Sequence, residues 1–116
     1  MFDKRQPNHK TFNFFNPTTG HAVSVKTMDT LGLSGSKPMT PEGAAGYLRR
    51  YVQEVVDYEK SVHQTNGVPE NSIQSKTIEL AIPEGTPIKV RDKLNEVARD
   101  ALVQGVQVII SVVAVK

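Results

Sequence analysis

The sequence predicts an α/β domain, a mixed β-sheet with helices packed against it, and three observations carry that prediction. Two short strand-like runs flank an Asn-Pro-Thr-Thr-Gly turn at 16–20. Two longer segments, each opened by Thr-Pro, repeat apolar residues at the helical period. Gly105 then leads straight into Val106 to Val115, a nearly continuous β-branched run.

With 116 residues and 12.8 kDa, the chain 1–116 is expected to form a single domain. A chain of this size buries about two thirds of its unfolded surface, enough for one core. There is no cysteine, so disulfides, thiolate zinc sites and cysteine nucleophiles are excluded. No apolar run reaches the roughly 18 residues a membrane span needs, and Met1 to Lys10 has no signal-peptide core. The expectation is a soluble chain without a secretion signal of its own. The net charge is +2, with Lys4, Arg5, His9 and Lys10 crowded into residues 1–10. Such an arm can attract phosphate, although its ordinary role is a solvated, flexible tail.

Thr11 to Phe15 is short and aromatic, as a strand would be, and His21 to Met28 resumes a strand after the turn, giving a β-hairpin. Residues 29–39 have a loop composition. Thr40 before Pro41 is a helix start, because the threonine oxygen can cap free amides and proline at the first position loses no hydrogen bond. Ala44, Ala45, Leu48, Val52, Val55, Val56 and Val62 then predict a helix over about 41–62. Residues 63–75 read as a polar loop.

Thr77 to Ile82 alternates Ile78, Leu80 and Ile82 against polar or small residues, the pattern of a strand with one buried face. Thr86 before Pro87 repeats the capped start, and Val90, Leu94, Val97, Ala98, Ala101 and Leu102 form the stripe of a helix over 87–104. Gly105 suits a left-handed helix end, and 106–115 reads as a central strand buried on both faces. Strand, helix and strand make a βαβ unit with parallel strands, and the hairpin must join the same sheet.

The hairpin carries the most suggestive chemistry. Ala22, Ser24 and Lys26 share one face of their strand, expected to be the polar one, and Val23 and Val25 share the other. If Pro17 pairs with Gly20, Asn13 lies opposite Ser24, and every register of that odd sum keeps Asn13, Ser24 and Lys26 together. An even sum separates them. A lysine there is usually just solvated; the functional alternative is that Lys26 stabilises phosphate charge or orients a water, with Asn13 and Ser24 at metal-ligand distance.

The runs Thr11-Phe12-Asn13-Phe14-Phe15-Asn16 and Ala22-Val23-Ser24-Val25-Lys26-Thr27, joined by a Thr-Gly turn, resemble the active-site hairpin of nuclease toxins in the restriction-endonuclease-like, or PD-(D/E)xK, superfamily. More narrowly, they resemble the C-terminal toxin domains of CdiA effectors in contact-dependent growth inhibition. The stretch from Ile78-Glu79-Leu80-Ala81-Ile82-Pro83 to the final Val-rich strand shares that resemblance. Together the similarity covers about 11–30 and 76–116.

The resemblance implies a metal-dependent endonuclease. An Asp at position 13 and the residue at 24 would hold a divalent metal ion (Mg2+, Mn2+ or Zn2+), and Lys26 would be the catalytic lysine. It further implies a nucleic acid substrate, DNA in slight preference to tRNA because position 24 is Ser, and a cognate immunity protein. Delivery by a cell-surface effector into the cytoplasm of a target bacterium is also implied, with no membrane role for the domain.

Two features depart from the family pattern. Asn13 stands where the Asp is expected, and a neutral amide binds hard cations less well than a carboxylate. Nothing before Thr11 is long enough to be the helix that would bring a Glu before the hairpin; either the chain is a fragment or Asp3 stands in. Other acids available as replacements are Asp29, Glu54, Asp57 and Glu59, the last three also ordinary helix-surface charges. An inactive nucleic-acid- or protein-binding α/β module is therefore the alternative.

Tyr47, Tyr51 and Tyr58 could stack on bases, but as helix aromatics they suit core or rim equally. His9, His21 and His63 lack ligand spacing, and His21 beside the turn is the one that could meet phosphate. Gly32 to Lys37 lacks the full pattern of a phosphate loop.

Overall fold

The computed structural model describes residues 12–16, 18–65 and 74–114, and for 59–65 the backbone alone. The expected arm at 1–10, Asp3 and most of the 63–75 loop lie outside the described residues.

The element order is β1 (Phe14–Asn16), β2 (His21–Thr27), α1 (Pro41–Thr65), β3 (Ser75–Pro83), α2 (Ile88–Val103) and β4 (Val106–Val113). One four-stranded sheet runs β1-β2-β3-β4. The hairpin pair is antiparallel, and β2-β3 and β3-β4 are parallel. The sheet is mixed, as expected, with two successive parallel crossovers through α1 and α2.

The hairpin turn closes on its own polar groups. Asn16 Oδ1 accepts the Thr18 N–H at 2.9 Å, its carbonyl accepts the Gly20 N–H at 2.7 Å, and Gly20 takes the left-handed φ of 74° that completes the turn. Thr40 caps α1 as expected, its Oγ1 accepting the Gly43 N–H at 3.0 Å. The helix continues to Thr65, three residues past the predicted end and into the segment read as loop.

The second Thr-Pro behaves differently. Thr86 makes no side-chain cap; its hydroxyl donates to the Pro83 carbonyl at 2.6 Å and meets the buried Thr30 hydroxyl at 2.6 Å. It ties the β3–α2 turn to the loop after β2, and α2 starts at Ile88.

Both helices lie on the same face of the sheet. Leu48, Val52 and Val55 of α1, with Val90, Leu94 and Val97 of α2, close over Ile78, Leu80, Ile82 and Val106 in one buried cluster. In α2 the buried positions are Val90, Leu94, Val97 and Ala101; Leu102, expected in the stripe, is 61% exposed. Leu102 borders a cleft of about 330 Å³ between α2 and β4, lined also by Asn95, Ala98, Arg99, Gln107 and Val108.

Two face assignments are reversed from expectation. Paired residues on neighbouring strands share a face, and Ser24 pairs with Ile78 and Lys26 with Leu80, so the buried alternation of β3 turns Ala22, Ser24 and Lys26 toward the helices. Val25, on the face expected to be inside, is exposed. Second, β4 is not a central strand; it occupies one end of the described sheet, with Gln107, Ile109, Ser111 and Val113 exposed on the face away from the helices. No described helix is long and apolar enough to cross a membrane.

Candidate functional site

The register Phe14↔Val23 and Asn16↔His21 has the odd sum that sets Asn13 opposite Ser24. Asn13 sits in a bend just before β1, and its backbone N–H donates to the Val23 carbonyl at 2.8 Å. Its side-chain Oδ1 accepts the N–H of Val25 at 2.8 Å. Position 13 is thus fastened to the residue lying between Ser24 and Lys26.

Ser24 is fully buried, and its Oγ has no hydrogen-bond partner. Buried hydroxyls are ordinarily satisfied, so this one carries an uncompensated desolvation cost. Two residues on, Lys26 reaches α1. Its Nζ stands 3.5 Å from Glu54 Oε1 and 5.1 Å from the ring centre of Tyr51. Both contacts are favourable for an ammonium, by charge and by the ring's negative face. Burial, and then the negative charge of Glu54, push the Tyr51 phenol above its usual range, so it remains a neutral wall of the site.

The same helix stripe holds the other arm of the hairpin. Phe12 meets Tyr58 edge to face, ring centres 5.0 Å apart. Tyr51, Glu54 and Tyr58 follow one another at helical spacing, so α1 touches the hairpin both at Lys26 and just ahead of Asn13.

Of the other acids, Asp29 is used locally. It accepts the Leu33 and Ser34 N–H groups and the Ser34 hydroxyl, at 2.8, 3.0 and 2.6 Å, and the Ser34 bonds above all hold its carboxyl below the usual range. Its hold on the loop amides also disposes of any phosphate-loop role for Gly32 to Lys37. Asp57 accepts from Gln53 Nε2 at 2.9 Å, and the Glu59 side chain is outside the described residues. His21 projects on the opposite face from Lys26, toward the hydroxyls of Ser75 and Thr77 at 2.5 and 3.4 Å, so it does not face the Ser24 side of the sheet. Tyr47 lies beneath the Arg50 guanidinium, 5.0 Å away.

By donor type, an amide oxygen at 13 and an orphaned hydroxyl at 24 suit a hard cation. Charge is what they lack, and among the described residues no three His, Cys, Asp or Glu side chains cluster. Among the described residues, Glu54 is the carboxylate that stands at Lys26. Its spacing in the sequence looks like that of any solvated helix acid, and the Tyr51 contact had no local signal either.

Residues 2–111 match the family described as the CDI toxin restriction endonuclease-like domain. The chain belongs to this family of toxins. A relative, the deoxyribonuclease CdiA of Yersinia pseudotuberculosis serotype O:3 (strain YPIII), is 30% identical over 107 residues, covering 90% of this chain. The chain spans 10% of that protein's length. Among solved structures, the CdiA-CT/CdiI toxin and immunity complex from Yersinia pseudotuberculosis matches with a TM-score of 0.70 at 25% identity, covering 95% of this chain and 86% of that one. The mixed sheet with two helices on one face is therefore the restriction-endonuclease-like architecture of CDI toxins, as the hairpin resemblance implied.

Proposed function

We propose that this domain is an antibacterial endonuclease module that hydrolyses phosphodiester bonds in DNA with a divalent metal ion, and that Asn13 lowers its activity. The observation that carries the reading is the orphaned, buried Ser24 hydroxyl two residues before Lys26, on the strand to which Asn13 is fastened. Lys26 supplies a positive charge for the phosphate, held in place by Tyr51 and Glu54. Ser24 offers an oxygen with no other partner, and position 13 a second. A bound cation would polarise the phosphoryl oxygen and lower the pKa of a water. With Asn at position 13 the residue keeps its geometry and loses its charge, which favours, as a second reading, a domain that binds nucleic acid without cutting it.

The deoxyribonuclease name of the Yersinia relative supports DNA over tRNA. The toxin and immunity complex supports a cognate immunity protein as the natural partner, and the CdiA relative supports delivery from a surface effector into the target cell's cytoplasm. The test is parallel incubation of Asn13→Asp protein with plasmid DNA and with total tRNA, in Mg2+, Mn2+ or Zn2+. Plasmid nicking is the expected result. Cleavage of tRNA alone would move the substrate, and a folded variant that cuts neither would reject the enzyme reading.

A further inference from the structure

The outer edge of β4 lacks the features by which folds keep a sheet edge from pairing. Exposed edges are ordinarily short, or carry charges, a proline or a bulge that turns the strand away. β4 runs for 8 residues as Val-Gln-Val-Ile-Ile-Ser-Val-Val, with no charge and no proline, and it pairs with β3 in unbroken register from Val106 to Val113. Among the described residues no strand lies beyond it.

The free groups of that edge follow from one hydrogen bond. The Glu84 N–H donates to the Val113 carbonyl at 2.9 Å, so Val113 turns its backbone groups toward β3. The N–H and C=O of a strand residue point to the same side and alternate along the strand, so those of Val108, Ile110 and Val112 point outward. The side chains of these three lie on the helix face, because they pair with Ile78, Leu80 and Ile82. α2 covers them only in part: Val112 is 47% and Leu102 61% exposed, and the cleft of about 330 Å³ opens between α2 and β4.

A strand that fits here must bring matching outward amides, an apolar row on its helix side and a charge pattern that suits the two ends of β4. A second β4, running antiparallel, brings all of them. With Ile110 opposite Ile110 of a second copy, Val108 meets Val112 on either side, and the outward N–H and C=O groups of both strands are paired. The ends carry opposite charges: Arg99 lines the cleft with Gln107 at the start of β4, and Glu84 is bonded to Val113 at its end. Both side chains are exposed, and neither has an ion-pair partner among the described residues. Antiparallel pairing sets the Arg99 end of one copy beside the Glu84 end of the other, twice over; parallel pairing would set like charges together.

We propose that β4 is a self-pairing edge: two copies of this chain join antiparallel about a two-fold axis at Ile110, making one continuous sheet of their four-stranded sheets with the helices of both copies on the same face. The two clefts then merge into a shared apolar layer, in which Val112 and Leu102 lose their exposure. The hairpin is at the opposite end of the sheet, so the pairing leaves Lys26 uncovered and does not depend on the endonuclease reading.

The experiment is sedimentation equilibrium of the chain over a range up to about 1 mM. The mass should rise from 12.8 kDa toward twice that value, with a dissociation constant on the order of 100 µM, as suits a small interface. Val112→Lys, at the exposed edge, should stay monomeric, and Phe14→Lys, at the opposite edge, should associate as the parent does. Arg99→Glu and Glu84→Arg should each weaken association by about fivefold, and the two together should restore it. Amide hydrogen exchange in the unmodified chain gives a readout independent of any variant's folding: Val108, Ile110 and Val112 should exchange more slowly as concentration rises, while Gln107, Ile109 and Ser111, whose amides face β3, should not change. A chain still monomeric at about 1 mM overturns the proposal and leaves the edge to a strand of another protein. Association that Val112→Lys does not disturb, or protection that spares Val108, Ile110 and Val112, overturns it as well. A charge-swapped double variant that remains weak contradicts the antiparallel direction.

Discussion

Asn13 Oδ1 accepts the backbone N–H of Val25 at 2.8 Å, and Val25 is the residue between Ser24 and Lys26. An aspartate has the same shape and can accept the same bond. Asn13→Asp should therefore preserve the fold and change only the charge at position 13, which makes it a clean probe of chemistry.

Ser24→Ala should stabilise the domain when no divalent ion is present. The buried hydroxyl has no partner, so removing it recovers a desolvation cost of about 1 kcal/mol or more. Thermal unfolding in EDTA should show a higher Tm, by a few degrees. A lower Tm would mean that the hydroxyl is bonded in solution and is not held open for a ligand.

Thr86→Val should be more damaging than Thr30→Val. The Thr86 hydroxyl donates to Pro83 and so must receive the Thr30 proton; its loss strands the Thr30 donor and leaves the Pro83 carbonyl only the Thr86 N–H at 3.2 Å, whereas losing Thr30 strands only a lone pair. The expected cost is about 1–3 kcal/mol for Thr86→Val in urea denaturation, and less for Thr30→Val. The reverse order would show that Thr86 is not the hub of this contact.

Gly32→Ala should cost more than about 1 kcal/mol, because φ is 70° there and a Cβ would overlap the Ser36 carbonyl. Gly35→Ala shares a positive φ but meets no atom, so it should be milder. Equal losses of denaturation midpoint would show that backbone strain alone, and not the overlap, sets the cost.

The loop from 29 to 37 should respond to acid. Ser34's hydroxyl and N–H, and the Leu33 N–H, lower the Asp29 pKa, so its contribution to stability is complete above the unfolded value near 3.9 and is lost as pH falls through the lower folded value. A carbon-detected NMR titration should find Asp29 below the ordinary range in the parent and nearer to it in Ser34→Ala. An unchanged titration in that variant would show that the Ser34 hydroxyl is not what lowers the carboxyl.

The β3–α2–β4 unit was readable because its apolar periods are set locally: Ile78, Leu80 and Ile82 at period two, and Val90, Leu94, Val97 and Ala101 along one helix stripe. The orientation of β2 was not. Taken alone, Val23 and Val25 look like the inward pair, but β2 borrows its facing from β3, whose isoleucines and leucine win the helices. The β-branched run at 106–113 reads as central, yet among the described residues no strand lies beyond it. Thr40 and Thr86 show the same limit in miniature, since a Thr-Pro dipeptide cannot reveal that a distant Thr30 will claim one of the two hydroxyls. In the hairpin, the spacing of Asn13, Ser24 and Lys26 was visible and their register followed from the turn. Glu54 and Tyr51 reach Lys26 only through packing between α1 and β2, which leaves no pattern along the chain.

If Asn13, Ser24 and Lys26 belong to one phosphodiester-cleaving site, restoring the acid at position 13 should create an activity that depends on the lysine. The decisive quantity is the rate of supercoiled-plasmid nicking in Mg2+ or Mn2+ by Asn13→Asp protein, with and without the second substitution Lys26→Met. Cleavage by the single variant is expected, with a loss of about 100-fold or more in the double variant. A double variant that nicks DNA as fast as the single one would separate Lys26 from the chemistry and contradict the shared site.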